Sequence, residues 1–281
     1  MELYTPYQEF TKRLKLLISD HPNLITTTLS NVFTMRLIGN KTHGDLAEIG
    51  MSEFINQYMY DFSSAHVGKD LFRAKTQEED IRVINRITED EILISLKAYG
   101  LGPLQLSTDK EFRMFPLLSS LVDDVMTGND QIRPILESPE FTAFQNVNVL
   151  PLIYHEKKQQ CNILVFDPEL AMERVETIEK ITGGGNRIHP VFKFFDNRGN
   201  YVCEVRYGDA EANALQRGLW TNTRRASGYF ESITGGWIDY SHNLILVKLF
   251  SHALVASERG HVEALERVKK DIEALIQGEG L

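Results

Sequence analysis

Apolar residues recur at helical spacing through the first 60 positions, where Phe10, Leu14 and Leu17 mark one face. The same spacing predicts a helix over Gly44–Asp61, with Leu46, Ile49 and Phe54 on its apolar side and Thr42 or Asp45 as its cap. The period then falls to two. Residues 80–87 (DIRVINRI) and 91–99 (EILISLKAY) alternate as strands around the polar turn Thr88-Glu89-Asp90. Residues 112–126 read as helix. VNVLPLIYH and CNILVFD make a hairpin around residues 156–160. HPVFKFF and YVCEVRY make another around Asp196-Asn197-Arg198-Gly199-Asn200. Residues 209–220 read as helix, 243–250 (NLILVKLF) as a buried strand and 260–277 as a closing amphipathic helix. Interleaved helices and strands predict an α/β (α+β) class with a central mixed sheet flanked by helices.

Composition narrows the class. The chain has 281 residues, 42% hydrophobic and 25% charged, as expected of a globular protein and not of a disordered one. No apolar run approaches the roughly 18 residues that span a bilayer. The amphipathic N-terminus lacks the form of a signal peptide, so a cytoplasmic protein without a membrane partner is expected. Two cysteines exclude a disulfide framework and no CxxC suggests zinc; Cys161 and Cys203 read as small buried strand residues. The net charge of −9 weighs against nucleic acid as a partner, yet the segment Arg187–Arg225 carries seven basic residues against four acidic ones.

Chemistry concentrates in residues 78–112. In EILISLKAY, Ile92, Ile94 and Leu96 share the core face, and Leu93, Ser95 and Lys97 share the other. A lysine at the end of an apolar strand needs a partner, because a lone buried ammonium is costly. Glu79-Asp80 opens the preceding strand and offers one. Glu111 follows Lys97 after thirteen intervening residues. Carboxylates from separate segments beside a lysine suit metal-assisted phosphodiester hydrolysis.

At these residues the sequence resembles the PD-(D/E)xK nuclease superfamily, and within it the type II restriction endonucleases. The matching residues are Glu79-Asp80 and Ser95-Leu96-Lys97. Glu79 stands where proline is usual, and Ser95 where the second acidic ligand is usual. A subset of the family has Ser-x-Lys and a glutamate about thirteen residues downstream, where Glu111 stands here. The resemblance implies a restriction-endonuclease-like core and Mg²⁺-dependent, sequence-specific hydrolysis of double-stranded DNA by a homodimer. It implies that Asp80 and Glu111 bind Mg²⁺, that Lys97 serves the attacking water, and that Ser95 completes the motif. Glu48 matches a helical acid near the metals in many members. On this expectation residues 1–281 form one domain: an N-terminal helical part (1–43), a catalytic core (44–126), and the remaining core with the DNA-recognition region (127–281).

Within that last region Arg187, Lys193, Arg206, Asn213, Gln216, Arg217, Asn222, Arg224 and Arg225 are the candidate DNA contacts. Arginine and lysine neutralise phosphates, and arginine, asparagine and glutamine read base edges. A helix at 209–220 would present Asn213, Gln216 and Arg217 together. Trp220 and Phe230 read as core, and Gly183-Gly184-Gly185 as a helix stop. Two other functions stay open: a repair or recombination nuclease of the same fold, and a non-catalytic nucleic-acid-binding or protein-binding module with a decayed site.

Overall fold

The computed structural model describes residues 5–37, 41–67, 80–141, 144, 147–182, 189–212 and 216–241, together with Glu266, Lys270 and Glu273. Three helices open the chain: α1 (Pro6–Asp20), α2 (Pro22–Leu37) and α3 (Lys41–Tyr58). A capping box starts α1. The Thr5 hydroxyl accepts from Gln8 N–H at 3.3 Å, and the Gln8 side chain accepts from Thr5 N–H at 2.8 Å. Its buried stripe is Tyr7, Phe10, Leu14 and Ile18.

Strands β1 (Phe62–His66), β2 (Ile81–Asn85) and β3 (Glu91–Gly100) form an antiparallel meander, as the alternating pattern predicts for the last two. Their apolar side packs against the helices, with Ile81, Val83, Ile92, Ile94 and Leu96 in one core with Phe10, Leu14, Met51 and Ile55. After Leu101-Gly102 the chain leaves this sheet. Strand β4 (Pro103–Thr108) begins a second one, followed by α4 (Met114–Leu121), β5 (Val125–Thr127) and α5 (Asn129–Leu136). This excursion is the long crossover that a parallel pair requires. The chain returns as β6 (Val149–His155), parallel to β3, with Ser95 opposite Val149 and Lys97 opposite Pro151.

Strand β7 (Gln160–Phe166) completes the expected hairpin with β6. Then come α6 (Pro168–Arg174), β8 (Val175–Ile181), β9 (Val191–Asp196), β10 (Tyr201–Arg206) and β11 (Gly218–Asn222). Last are β12 (Phe230–Ser232) and β13 (Ile238–Asp239), which return to β7. The first sheet runs β1-β2-β3-β6-β7-β12 with β13 also on β7; the second runs β4-β11-β10-β9-β8-β5 and is antiparallel throughout. Leu104, Leu106, Phe141, Phe192, Phe194 and Val205 centre its separate core. The class is therefore mixed α/β, with a central mixed sheet flanked by helices.

Several expectations need correction. The helix expected over 112–126 stops at Leu121, because Val122 is extended and Val125–Thr127 pair with β8. Ile49 is 42% exposed. The buried stripe of α3 runs instead through Glu48, Met51, Ser52 and Ile55, with Phe54 and Met59 alongside. Residues 209–212 form a turn and β11 starts at Gly218, so 209–220 is not one helix. Gly218 has φ +125°, and a Cβ there would meet Ser107 O at 2.4 Å; strand pairing overrides helical periodicity. The strand β8, not a helix, precedes Gly183-Gly184-Gly185. The glycines themselves and 243–250 lie outside the described residues. Of the closing helix, Glu266, Lys270 and Glu273 are helical and exposed, as a polar face would be. Cys161 and Cys203 are buried in strands, and burial pushes both thiols up.

Candidate active site

Asp80 stands at the mouth of β2, and its backbone stitches three strands together. Its N–H donates to Ile94 O at 3.0 Å, and its carbonyl accepts from Val67 N–H at 3.0 Å. Its carboxylate is turned onto β3: Oδ2 accepts from Leu96 N–H at 2.6 Å and from the Ser95 hydroxyl at 3.3 Å. Lys97 follows two residues on, half-buried. The alternation expected for β3 holds, with Ile92, Ile94 and Leu96 buried in the core. The partner expected for Lys97 was Glu79-Asp80. Glu79 lies outside the described residues, and the Asp80 carboxylate accepts hydrogen bonds from Ser95 and Leu96.

Glu48 is 1% exposed, so it is no solvated helix residue. Its Oε2 lies 3.2 Å from His66 Nε2. His66 ends β1 and stands opposite Ile81 in the ladder, one residue from Asp80. His66 thus ties Glu48 of α3 to the end of β1, on the face of the sheet that it shares with Ile81. The sequence reading missed His66. The signal was present: alternation through Phe62-Ser63-Ser64-Ala65-His66 is weak, but Glu48 sits three, four and seven residues before Met51, Ser52 and Ile55, which places it on the buried stripe.

Glu111 is placed differently from the expectation. It lies in the turn between β4 and α4, its side chain is 65% exposed, and it forms an ion pair with Arg113. The turn is rigidly built. Asp109 accepts from Arg113 N–H and Met114 N–H, each at 2.9 Å. Phe112 takes a left-handed conformation at φ 53°. Arg217, just before β11, reaches the same turn by donating to Lys110 O at 3.5 Å and lying 5.3 Å from the Phe112 ring, and it also donates to Ala210 O at 3.1 Å.

Arg217, expected as a DNA contact, is 9% exposed and engaged with these carbonyls and the Phe112 ring. Arg206 is likewise occupied. It pairs with buried Glu204 and lies 4.9 Å over Trp220, which is half-buried rather than core. Lys193 stands opposite Glu179 and Glu204 in the ladders. Asn222 accepts from Arg224 N–H and Arg225 N–H, both at 3.1 Å, and so holds a turn. Arg225 lies 4.4 Å over Tyr201. Gln216, Arg224 and Arg225 are exposed. Phe230 packs on Phe166 at 5.5 Å. Arg187 and Asn213 lie outside the described residues.

Among the described residues, no three His, Cys, Asp or Glu side chains are grouped as a metal cage. Mg²⁺ does not need one: it keeps several waters and is held by one or two carboxylates plus substrate phosphates. Asp80 supplies a carboxylate held by Leu96 N–H and Ser95, and hard carboxylate oxygens of this kind are the donors Mg²⁺ takes; Glu48 is a second, buried carboxylate on α3. Among the described residues, no helix is long and apolar enough to cross a membrane. Comparison with known protein families, curated proteins and solved structures finds no match.

Proposed function

We propose that the protein is a Mg²⁺-dependent DNA endonuclease of restriction-endonuclease-like fold, cutting double-stranded DNA in a sequence-specific way as a homodimer. The observation that carries this is the meeting of the Asp80 carboxylate with the Ser95-Leu96-Lys97 strand at one sheet end. The chemistry that Mg²⁺ would supply there is to polarise the scissile phosphate and to lower the pKa of an attacking water. Asp80 would hold it, with its carboxylate fixed by Leu96 N–H and Ser95, and Glu48 would add a second negative charge. Lys97, on the same face as Ser95, orients the attacking water and offsets phosphate charge. The water oxygen forms a new bond to phosphorus as the bond to the leaving sugar oxygen breaks. Glu111, the family-implied second ligand, is held by Arg113 in this state. The DNA surface is assigned to Gln216, Arg224 and Arg225, which are exposed on the basic region.

Incubating the purified protein with plasmid DNA and Mg²⁺ tests the assignment on a gel. Discrete fragments support it. A smear or branch-specific cuts indicate a structure-directed nuclease. Intact DNA indicates a non-catalytic binding module, which the engagement of Glu111 with Arg113 would also suit.

A further inference from the structure

We infer that Tyr7 is a positioning residue that holds the start of β6 on β3 beside Ser95; this deepens the nuclease assignment above and rests on it. The need for such a residue arises at Pro151. It is buried in β6, the strand between β3 and β7, and has no N–H to give to a ladder. Pairing of β6 with β7 accordingly begins at the next residue, with Leu152 opposite Ile163, and runs to His155. The start of β6 lies on the other side of the proline, and there it braces β3. Val149 stands opposite Ser95, and Ser95 N–H donates to Asn148 O at 3.1 Å. The Asn148 side chain donates to Leu93 O on the same strand. A donor from the helical layer reaches this segment: Tyr7 Oη, in the first turn of α1, donates to Val149 O at 2.6 Å. Tyr7 is 7% exposed, and burial pushes its phenol up, so it stays a donor. The path from Tyr7 runs through Val149 and Asn148 to Ser95, whose hydroxyl donates to Asp80 at 3.3 Å. A displacement of about 1 Å imposed on a site from outside can cost about 100-fold in rate.

Tyr7→Phe keeps the ring and removes the hydroxyl. Tyr229→Phe is the control, because Tyr229 is also buried and its hydroxyl donates to Asp196 at 2.9 Å in the second core. Steady-state cleavage of plasmid DNA in Mg²⁺, at a temperature where all three chains are folded, is measured together with hydrogen exchange at Ser95 N–H. Tyr7→Phe should lower kcat about 10-fold or more while KM stays within about 2-fold, as expected when the reacting geometry is disturbed and not DNA binding. Ser95 N–H should exchange about 10-fold faster in the same variant. Tyr229→Phe, with no partner shared with Tyr7, should leave kcat and Ser95 exchange within about 2-fold of the native chain. Native kcat or native exchange in Tyr7→Phe, or an equal loss in Tyr229→Phe, overturns the inference and leaves the nuclease assignment standing. A native chain that cuts no DNA overturns that assignment, and with it the role given to Tyr7.

Discussion

Ser95 donates its hydroxyl to the Asp80 oxygen that also accepts the Leu96 N–H, so position 95 holds a hydrogen-bond donor to that acid. Two carboxylates at this spacing would repel each other unless a cation lay between them.

Stability measurements on Ser95 variants follow from this. Ser95→Ala loses one hydrogen bond and should cost about 1 kcal/mol. Ser95→Asp should cost more in thermal melts without divalent ions, and millimolar Mg²⁺ should recover part of the loss. No difference between the two variants would show that Asp80 is screened from position 95.

Glu111 and Arg113 make a second test. Their pair is exposed, so its contribution to stability is small, and Glu111→Ala should melt within about 1 kcal/mol of the native chain. If Glu111 exchanges Arg113 for the metal during turnover, the same variant should lose cleavage about 100-fold or more, whereas Arg113→Ala should retain it. Silence of Glu111→Ala would remove this residue from the site and leave Asp80 and Glu48 as its acids.

Asp196 gives a pH dependence unrelated to catalysis. Burial works to raise its pKa, but hydrogen bonds from the Asn200 side chain and N–H, the Tyr229 hydroxyl and Arg198 N–H prevail and hold it below the ordinary value. A carboxylate depressed on folding stabilises the native state above its unfolded pKa of about 3.9, and the gain is lost as pH falls through the folded value. Denaturant unfolding of the native chain should therefore weaken below about pH 4, and Asp196→Asn should flatten that limb. An unchanged limb in the variant would place the acid sensitivity elsewhere.

Gly218 marks where β11 crosses closest to β4. An added Cβ meets Ser107 O at 2.4 Å and the backbone is at φ +125°, so Gly218→Ala should destabilise by about 3 kcal/mol. The Arg217 clamp on the Glu111 turn should loosen with it, which hydrogen exchange at Phe112 N–H reports. Full protection there would show that the turn stands without β11.

Much of the fold was legible because it rests on local patterns. The alternation in DIRVINRI and EILISLKAY set β2 and β3, and the Asp196–Asn200 turn set β9 and β10. What failed depends on non-local partners. Residues 209–220 have helical periodicity, but pairing of β11 with β4 and β10 outweighs it. The two sheets, and the departure of β4 from the meander after Gly102, leave no trace in hydrophobic period. At the candidate site, Asp80, Ser95 and Lys97 were legible from strand register. Glu48 was found through resemblance, and its burial came from packing. Local charge and the expected 209–220 helix point to Arg206 and Arg217 as DNA contacts, whereas the ring and carbonyl partners Trp220, Phe112 and Lys110 come from tertiary packing.

Lys97→Ala tests the nuclease assignment most directly, with plasmid cleavage in Mg²⁺ and duplex binding in Ca²⁺ followed on the same preparation. The expected result is loss of cleavage below about one thousandth of the native rate, with DNA affinity held within a few fold. Cleavage retained by the folded variant would contradict the role given to the lysine and, with it, the site built around Asp80.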